Sequence, residues 1–287
     1  MPLTDMAPLH ENEHYLAFAK KIALEAGDIL EHYRHSFVVE KVKDELNLDV
    51  ATNADYAAEK AIISAIKATY PTHGILAEES GISLPNAEYV WVIDPLDGTK
   101  EFIRNSPYYY TLISLEYRGT AVCAVGYQPA LRRMFFGSLT EGAYVDKRKM
   151  MVSKESQFSK SFVSIIIPKK VVPRDENAIY LLAVQDLIYA AYRLRNTTWD
   201  VEALFNVAMG LTEAYIMPPS SAPQSGPKWW DISAGAQIVA MAGGTITDVF
   251  GNPLKEHDIS KGIVASNGLI HLELLTILRK YYPEKSN

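Results

Sequence analysis

The stretch Trp91-Val92-Ile93-Asp94-Pro95-Leu96-Asp97-Gly98-Thr99-Lys100-Glu101-Phe102-Ile103 decides how this chain is read. The apolar run at 89–93 predicts a strand that ends in a carboxylate, with a proline directly behind it. Asp-Pro opens β-turns, with Asp at the first position and Pro at the second. The ends of such a turn lie within about 7 Å of one another, so Asp94 and Asp97 are expected to converge on shared cations. Gly98 lets a ligand approach the backbone, and the amides that follow suit an anion at a helix N-terminus. Two carboxylates beside an anion cradle point to metal-assisted phosphate chemistry.

The rest of the chain agrees with that chemistry. At 287 residues, 48% hydrophobic and 22% charged, the composition is that of a folded globular protein with a large core. One compact unit spanning 1–287 is expected, with subdomains at about 12–150 and 151–287 divided by a composition shift at 146–160. The formal charge of −6 and the lack of lysine or arginine runs exclude the wrapping of a nucleic-acid polymer. Clustered acids repel a phosphate ester unless cations intervene, so the acidity itself hints at metal. The single cysteine, Cys123, excludes an intramolecular disulfide and reads as a packing residue in the apolar run 120–127. No stretch has the length of a membrane span, and the first residues form no basic or apolar leader. No membrane insertion and a cytoplasmic location are therefore the expectation.

Helical spacing of Phe18, Ile22, Ala26, Ile29 and Tyr33 predicts a helix at about 12–34. Just ahead, His10-Glu11-Asn12-Glu13-His14 matches a zinc-peptidase pattern, but it lies in a polar tail and reads as a helix start. A strand is expected at 37–42 and a helix from Thr52-Asn53-Ala54-Asp55 to Tyr70-Pro71. There Asp55 reads equally as a first-turn carboxylate serving helix amides or as a site residue. Residues 74–77 predict a short strand running into Glu78-Glu79, so Glu78 and Asp94 should share a rim. Strands follow at 109–116, 121–128, 133–137, 141–145, 162–167 and Ala214–Met217, with helices at 177–192 and 201–209. After the proline- and serine-rich loop 218–227, Asp231 reads as the N-cap of a helix at 232–242 closed by Gly243-Gly244. A strand near 263–265 and a helix at about 268–281 complete the chain.

Five acids, Asp55, Glu78, Asp94, Asp97 and Asp231, thus sit at ends of apolar elements with no histidine or cysteine close by in sequence. An all-oxygen donor set suits Mg²⁺, with Mn²⁺ as a substitute, and argues against zinc. Asp55, Glu78-Glu79, Asp94-Pro95-Leu96-Asp97-Gly98-Thr99 and Trp230-Asp231 before Gly243-Gly244 resemble, in order and spacing, the inositol monophosphatase superfamily. These are magnesium-dependent, typically lithium-sensitive phosphomonoesterases with an α/β fold, a layered α-β-α-β-α sandwich. The resemblance implies a small phosphorylated substrate and allows a homodimer. It implies two to three ions: Glu78, Asp94 and the Leu96 carbonyl for one, and Asp94, Asp97 and Asp231 for a second. Asp55 with Glu78 would support a third through waters. Thr99, assisted by Asp55, would orient or deprotonate the attacking water. The amides of Gly98 and Thr99 would take the phosphate, and Glu79 would steady the metal ligands from behind.

Lys100-Glu101-Phe102-Ile103 is similar to the 3′(2′),5′-bisphosphate nucleotidase branch, with Lys100 meeting a second phosphate, so 3′-phosphoadenosine 5′-phosphate is the first substrate expectation. Inositol monophosphates and histidinol phosphate are the alternatives within the class. A catalytically silent relative that binds metal or a phosphorylated ligand is the alternative outside it. Two segments depart from the branch pattern: Asn196-Thr197-Thr198-Trp199-Asp200, where a small Gly-Ser-Ser type run is usual, and the loop 218–227.

Overall fold

The computed structural model describes residues 12–43, 50–167, 171–197, 199–222, 226–254 and 258–283. They form two compact units, Met1–Arg148 and Lys149–Asn287.

The first unit opens with helix α1 (Asn12–Tyr33), whose Leu16, Ala19, Ile22, Ala23, Ala26 and Leu30 form one buried face. Full burial of each larger aliphatic contributes about 1.5–3 kcal/mol. Strands β1 (Val39–Val42) and β2 (Val50–Thr52) pair antiparallel, and helix α2 (Asn53–Thr69) starts directly behind them. Strands β3 (Gly74–Ala77), β4 (Gly81–Ser83) and β5 (Tyr89–Asp97) follow, then the five-residue helix α3 (Thr99–Ile103). β6 (Tyr110–Tyr117), β7 (Thr120–Gln128), β8 (Arg133–Ser138) and β9 (Gly142–Val145) continue a sheet ordered β9-β8-β7-β6-β5-β3-β4. The chain leaves the unit through β10 (Arg148–Met150).

Alternate residues of the central strands, Trp91 and Ile93, Ile113 and Leu115, Cys123 and Val125, point into the core shared with α1 and α2. Burial pushes the Cys123 thiol pKa up, which fits the packing role read from sequence. The β3–β5 pair is parallel and its β4, β6 neighbours are antiparallel, so the carboxyl ends of β3 and β5 lie side by side.

The second unit contains β11 (Phe162–Ile166), α4 (Arg174–Ala190), β12 (Arg193–Thr197), α5 (Asp200–Ala208), β13 (Ala214–Met217), α6 (Trp229–Met241), β14 (Thr245–Thr247), β15 (Ile263–Ser266) and α7 (His271–Arg279). The sheet order is β12-β11-β13-β15-β14, parallel across the first three strands and antiparallel beyond. Val163 and Ile165 pack with Tyr180 and Leu187 of α4 and Leu274 and Leu278 of α7 on one face. Helix α5 packs on β12 and β13, and α6 on β14 and β15.

Most expected elements are present, within a few residues at their ends. Five short strands, β2, β4, β10, β12 and β14, were not anticipated. The turn expected at Asp94–Asp97 is instead a bulge: β5 runs on to Asp97, with Asp94 opposite Leu112 and Asp97 opposite Tyr110. One extra residue on β5 lets the strand keep its neighbour while Pro95, which has no amide to donate, sits within the irregularity. Asp231 is not the N-cap of its helix but the third residue of α6, behind Lys228. Its carboxylate accepts from the Lys228 amide at 2.6 Å, so the cap is supplied from inside the first turn. Of the zinc-peptidase pattern, His10 and Glu11 lie outside the described residues, as do 223–225 of the loop at 218–227. Among the described residues no helix is long and apolar enough to cross a membrane.

Candidate metal and phosphate site

Glu78 and Asp94 each follow the last paired residues of β3 and β5, Ala77 and Ile93, and the Glu78 amide donates to the Ile93 carbonyl at 3.3 Å. The register of one parallel pair therefore delivers both carboxylates to one rim. The bulge adds the remaining groups. The Leu96 amide donates to Asp94 Oδ1 at 2.9 Å, curling 94–96 around that carboxylate. A carboxylate oxygen of Asp94 and one of Asp97 come within 4.8 Å of each other, close enough to share a cation. Gly98 then takes φ +85° as the N-cap of α3, and a Cβ there would lie 2.9 Å from the Tyr108 carbonyl oxygen.

Asp55 reaches this rim from α2. Its Oδ2 accepts from the Thr52 amide at 2.8 Å and from the Thr52 hydroxyl at 2.6 Å. Both readings of Asp55 therefore hold at once, because its other oxygen lies 3.2 Å from the Thr99 hydroxyl. That hydroxyl is also 3.1 Å from the Leu96 carbonyl. One hydroxyl proton serves one of these acceptors at a time, leaving oxygen lone pairs to receive a proton from water.

The acids are crowded and dry. Asp55 is fully buried, Asp94 is 2% exposed and Glu59 of α2 is 4% exposed. Burial, opposed by the Thr52 bonds and reinforced by the charges of Glu78 and Glu79, raises the Asp55 pKa to about 7. Burial likewise raises Glu78, against the pull of Lys43. Lys43 is the cation in this cluster, with its ammonium 2.8 Å from Glu78 and bonded to Glu79 as well. Burial alone would lower the Lys43 pKa, but the two carboxylates hold it above the usual lysine value. Glu59 accepts from the Glu79 amide at 2.9 Å, fixing the backbone behind Glu78. Sequence reading missed Lys43 and Glu59: nothing in a polar stretch or an alanine-rich helix distinguishes them from solvated charges.

The donors in this unit are carboxylates and a backbone carbonyl, the hard oxygen ligands that Mg²⁺ or Mn²⁺ takes. A lysine ammonium bridging Glu78 and Glu79 shows that the cluster already recruits positive charge. The residues fit a divalent cation. Asp231 belongs to the second unit, where it stands in the first turn of α6. Lys100 lies in the first turn of α3 and its carbonyl accepts from the Arg104 side chain.

The comparisons point the same way. The chain is 31% identical to the Nus factor SuhB of Pseudomonas aeruginosa, across 93% of this chain and 97% of that protein. It is 28% identical to the fructose-1,6-bisphosphatase/inositol-1-monophosphatase of Aquifex aeolicus, across 93% and 96%. Among solved structures, the extragenic suppressor protein SuhB of Bartonella henselae matches with a TM-score of 0.80 and 26% identity, covering 93% of this chain and 99% of that one. The inositol monophosphatase of Anabaena (Nostoc) sp. matches with a TM-score of 0.75 and 29% identity, covering 93% and 96%. The inositol monophosphatase family model matches residues 11–282, and with the fold and the acid rim in place the chain belongs to the inositol monophosphatase family.

Proposed function

We propose that the rim at β3 and β5 is the active centre of a Mg²⁺-dependent phosphomonoesterase acting on a small phosphate ester. Family membership supports a metal-dependent phosphatase. The observation that carries the finer reading is the Thr99 hydroxyl set between Asp55 and the Leu96 carbonyl, one residue beyond a left-handed Gly98. Mg²⁺ held by Glu78, Asp94 and the Leu96 carbonyl, and by Asp94, Asp97 and Asp231, would neutralise phosphate charge and acidify water. Asp55 with Glu78 is the proposed support for a third, water-mediated ion.

The protein's own groups divide the remaining work. Thr99 donates to Asp55 and accepts from the attacking water, so Asp55 sets the direction of that proton. The amides of Gly98 and Thr99 receive phosphate oxygens at the start of α3. Glu79, anchored by Glu59 and Lys43, holds Glu78 in place from behind. Thr99 and all five acids are present, which weighs against a binding-only relative.

For the substrate, the printed names of the Aquifex and Anabaena relatives favour a phosphorylated cyclitol or sugar such as inositol 1-phosphate. The nucleotidase reading rests on 100–103, and packing accounts for part of that signal: Phe102 is fully buried against Phe37 and Tyr109. Lys100, in the first turn behind the phosphate amides, is the feature that keeps 3′-phosphoadenosine 5′-phosphate as the second reading. Phosphate release is measured with and without Mg²⁺ from inositol 1-phosphate, 3′-phosphoadenosine 5′-phosphate, fructose 1,6-bisphosphate and histidinol phosphate. Mg²⁺-dependent, lithium-inhibited release led by inositol 1-phosphate is the expected result. No release from any of the four overturns the enzyme reading, and a clear lead by 3′-phosphoadenosine 5′-phosphate overturns the substrate order.

A further inference from the structure

One end of the first unit's sheet carries positive charge that takes no part in the acid rim. It is assembled from two short stretches, Arg132-Arg133 where β8 begins and Lys147-Arg148 where β9 gives way to β10. Arg132, Lys147 and Arg148 are exposed and Arg133 is half-buried, in a chain whose formal net charge is −6. The β8–β9 register sets Phe136 opposite Tyr144 and Phe135 opposite Val145. Carried on, it brings Asp146 beside Met134 and Lys147 beside Arg133. On the β7 side Arg133 faces Gln128. Arg133 therefore has a like charge on one flank and a neutral amide on the other, and like charges directly opposite destabilise a sheet.

Asp146, the acid of this turn, serves the backbone. Its Oδ1 accepts from the Met134 amide at 2.9 Å, and its own amide donates to the Met134 carbonyl at 2.8 Å. Arg132 takes φ +50°, a left-handed backbone that glycine occupies at lower cost. The Arg133 guanidinium lies 4.6 Å over the centroid of the buried Phe135 ring, which fixes the plane of its donors. Beside these charges Leu131 is 51% exposed. Like charges side by side and a strained backbone, gathered at one place, point to a use in binding.

The chemistry of the patch selects the kind of partner. A guanidinium held in one plane takes a carboxylate through two parallel bonds. The neighbouring ammonium, on a strand position about 5 Å away, takes a second. Alternate side chains of an extended segment stand on one face about 7 Å apart, within reach of these two long side chains. Leu131 offers a seat for an apolar side chain next to the acids. Single-stranded nucleic acid needs open ring faces for its bases, and Phe135 is buried beneath Arg133.

We propose that this end of β8 and β9 docks a short, extended acidic segment of a partner protein, with carboxylates on alternate residues and an apolar side chain beside them. Three strand spacings, about 14 Å, separate β8 from β5, and the surface shares no residue with the acid rim.

Fluorescence anisotropy on the full chain tests the proposal, with a labelled hexapeptide alternating glutamate and leucine at low ionic strength. Metal-free buffer keeps the peptide from binding through ions at the rim. Saturable binding is expected, weakened at least about tenfold when Arg133→Gln and Lys147→Gln are combined, and weakened in the parent as salt rises. Lys147→Gln alone should melt no lower than the parent, because it removes a like-charge contact. Absence of saturable peptide binding overturns the proposal, as does binding that the double variant leaves unchanged. A labelled hexathymidylate bound as tightly as the peptide would show that the patch takes phosphate chains instead. A lower melt of Lys147→Gln would show that the pair serves the fold, and either result overturns the proposal too.

Discussion

The acid rim of the first unit and a cavity in the second are both polar openings in an otherwise apolar α/β fold, but they are built in opposite ways. The rim gathers like charges at the carboxyl ends of β3 and β5, held by backbone amides and one lysine. The cavity mixes hydroxyl and amide groups with one guanidinium, Arg195, and one carboxylate, Glu202, on a sheet face beneath α5. Crowded carboxylates raise one another's pKa and await a cation. The difference is one of charge: like carboxylates crowd the rim, and both signs stand beside neutral groups in the cavity.

The largest effect should come from removing charge at the rim. Asp94→Asn keeps the acceptor for the Leu96 amide but loses the charge between two proposed ions. Phosphate release should fall at least about 10³-fold with the fold intact by circular dichroism. Next, Thr99→Ala should lower kcat about 10²-fold, while Thr99→Ser, which keeps the hydroxyl, should recover most of it. Equal losses in the two variants would show that Thr99 acts through packing.

Lys43 sharpens the comparison further. Lys43→Met leaves Glu78 and Glu79 without their cation and should destabilise metal-free protein by about 1–3 kcal/mol. Adding Mg²⁺ should restore the loss in a thermal melt. A melt insensitive to Mg²⁺ would mean that the acids do not need positive charge.

The smallest effect belongs to the second unit. His271 is buried between Thr247 and Ser266, and burial lowers its pKa. Its folded value lies below the unfolded value near 6.5, so the unfolded chain takes up the proton first. The stability it contributes is whole above about pH 6.5 and is lost as pH falls through that value toward the folded one. Melts between pH 5 and 8 should show part of this slope disappear in His271→Gln.

Much of the site was legible because short apolar runs ending in acids are uncommon, and Glu78 and Asp94 both stand at such ends. Asp55 was visible as a first-turn acid, whereas Asp231 reads as the N-cap and stands instead at the third residue of its helix; one carboxylate oxygen of each accepts from the amide of the cap residue. The bulge was not legible. Asp-Pro reads locally as a turn, and only pairing with β6 shows that the strand persists. Strand β12 escaped notice because it is an edge strand carrying Arg193 and Arg195, charges that protect an exposed edge and hide its strand pattern. Lys43 and Glu59 take their meaning from distant neighbours, which no local pattern contains.

The central claim is that the rim is a divalent-metal site whose ligands include Asp94. Calorimetric titration of Mn²⁺ into metal-free protein tests this directly. Saturable binding by the parent chain, abolished or weakened at least about tenfold in Asp94→Asn, is the predicted result. No saturable binding, or binding that Asp94→Asn leaves unchanged, would contradict it.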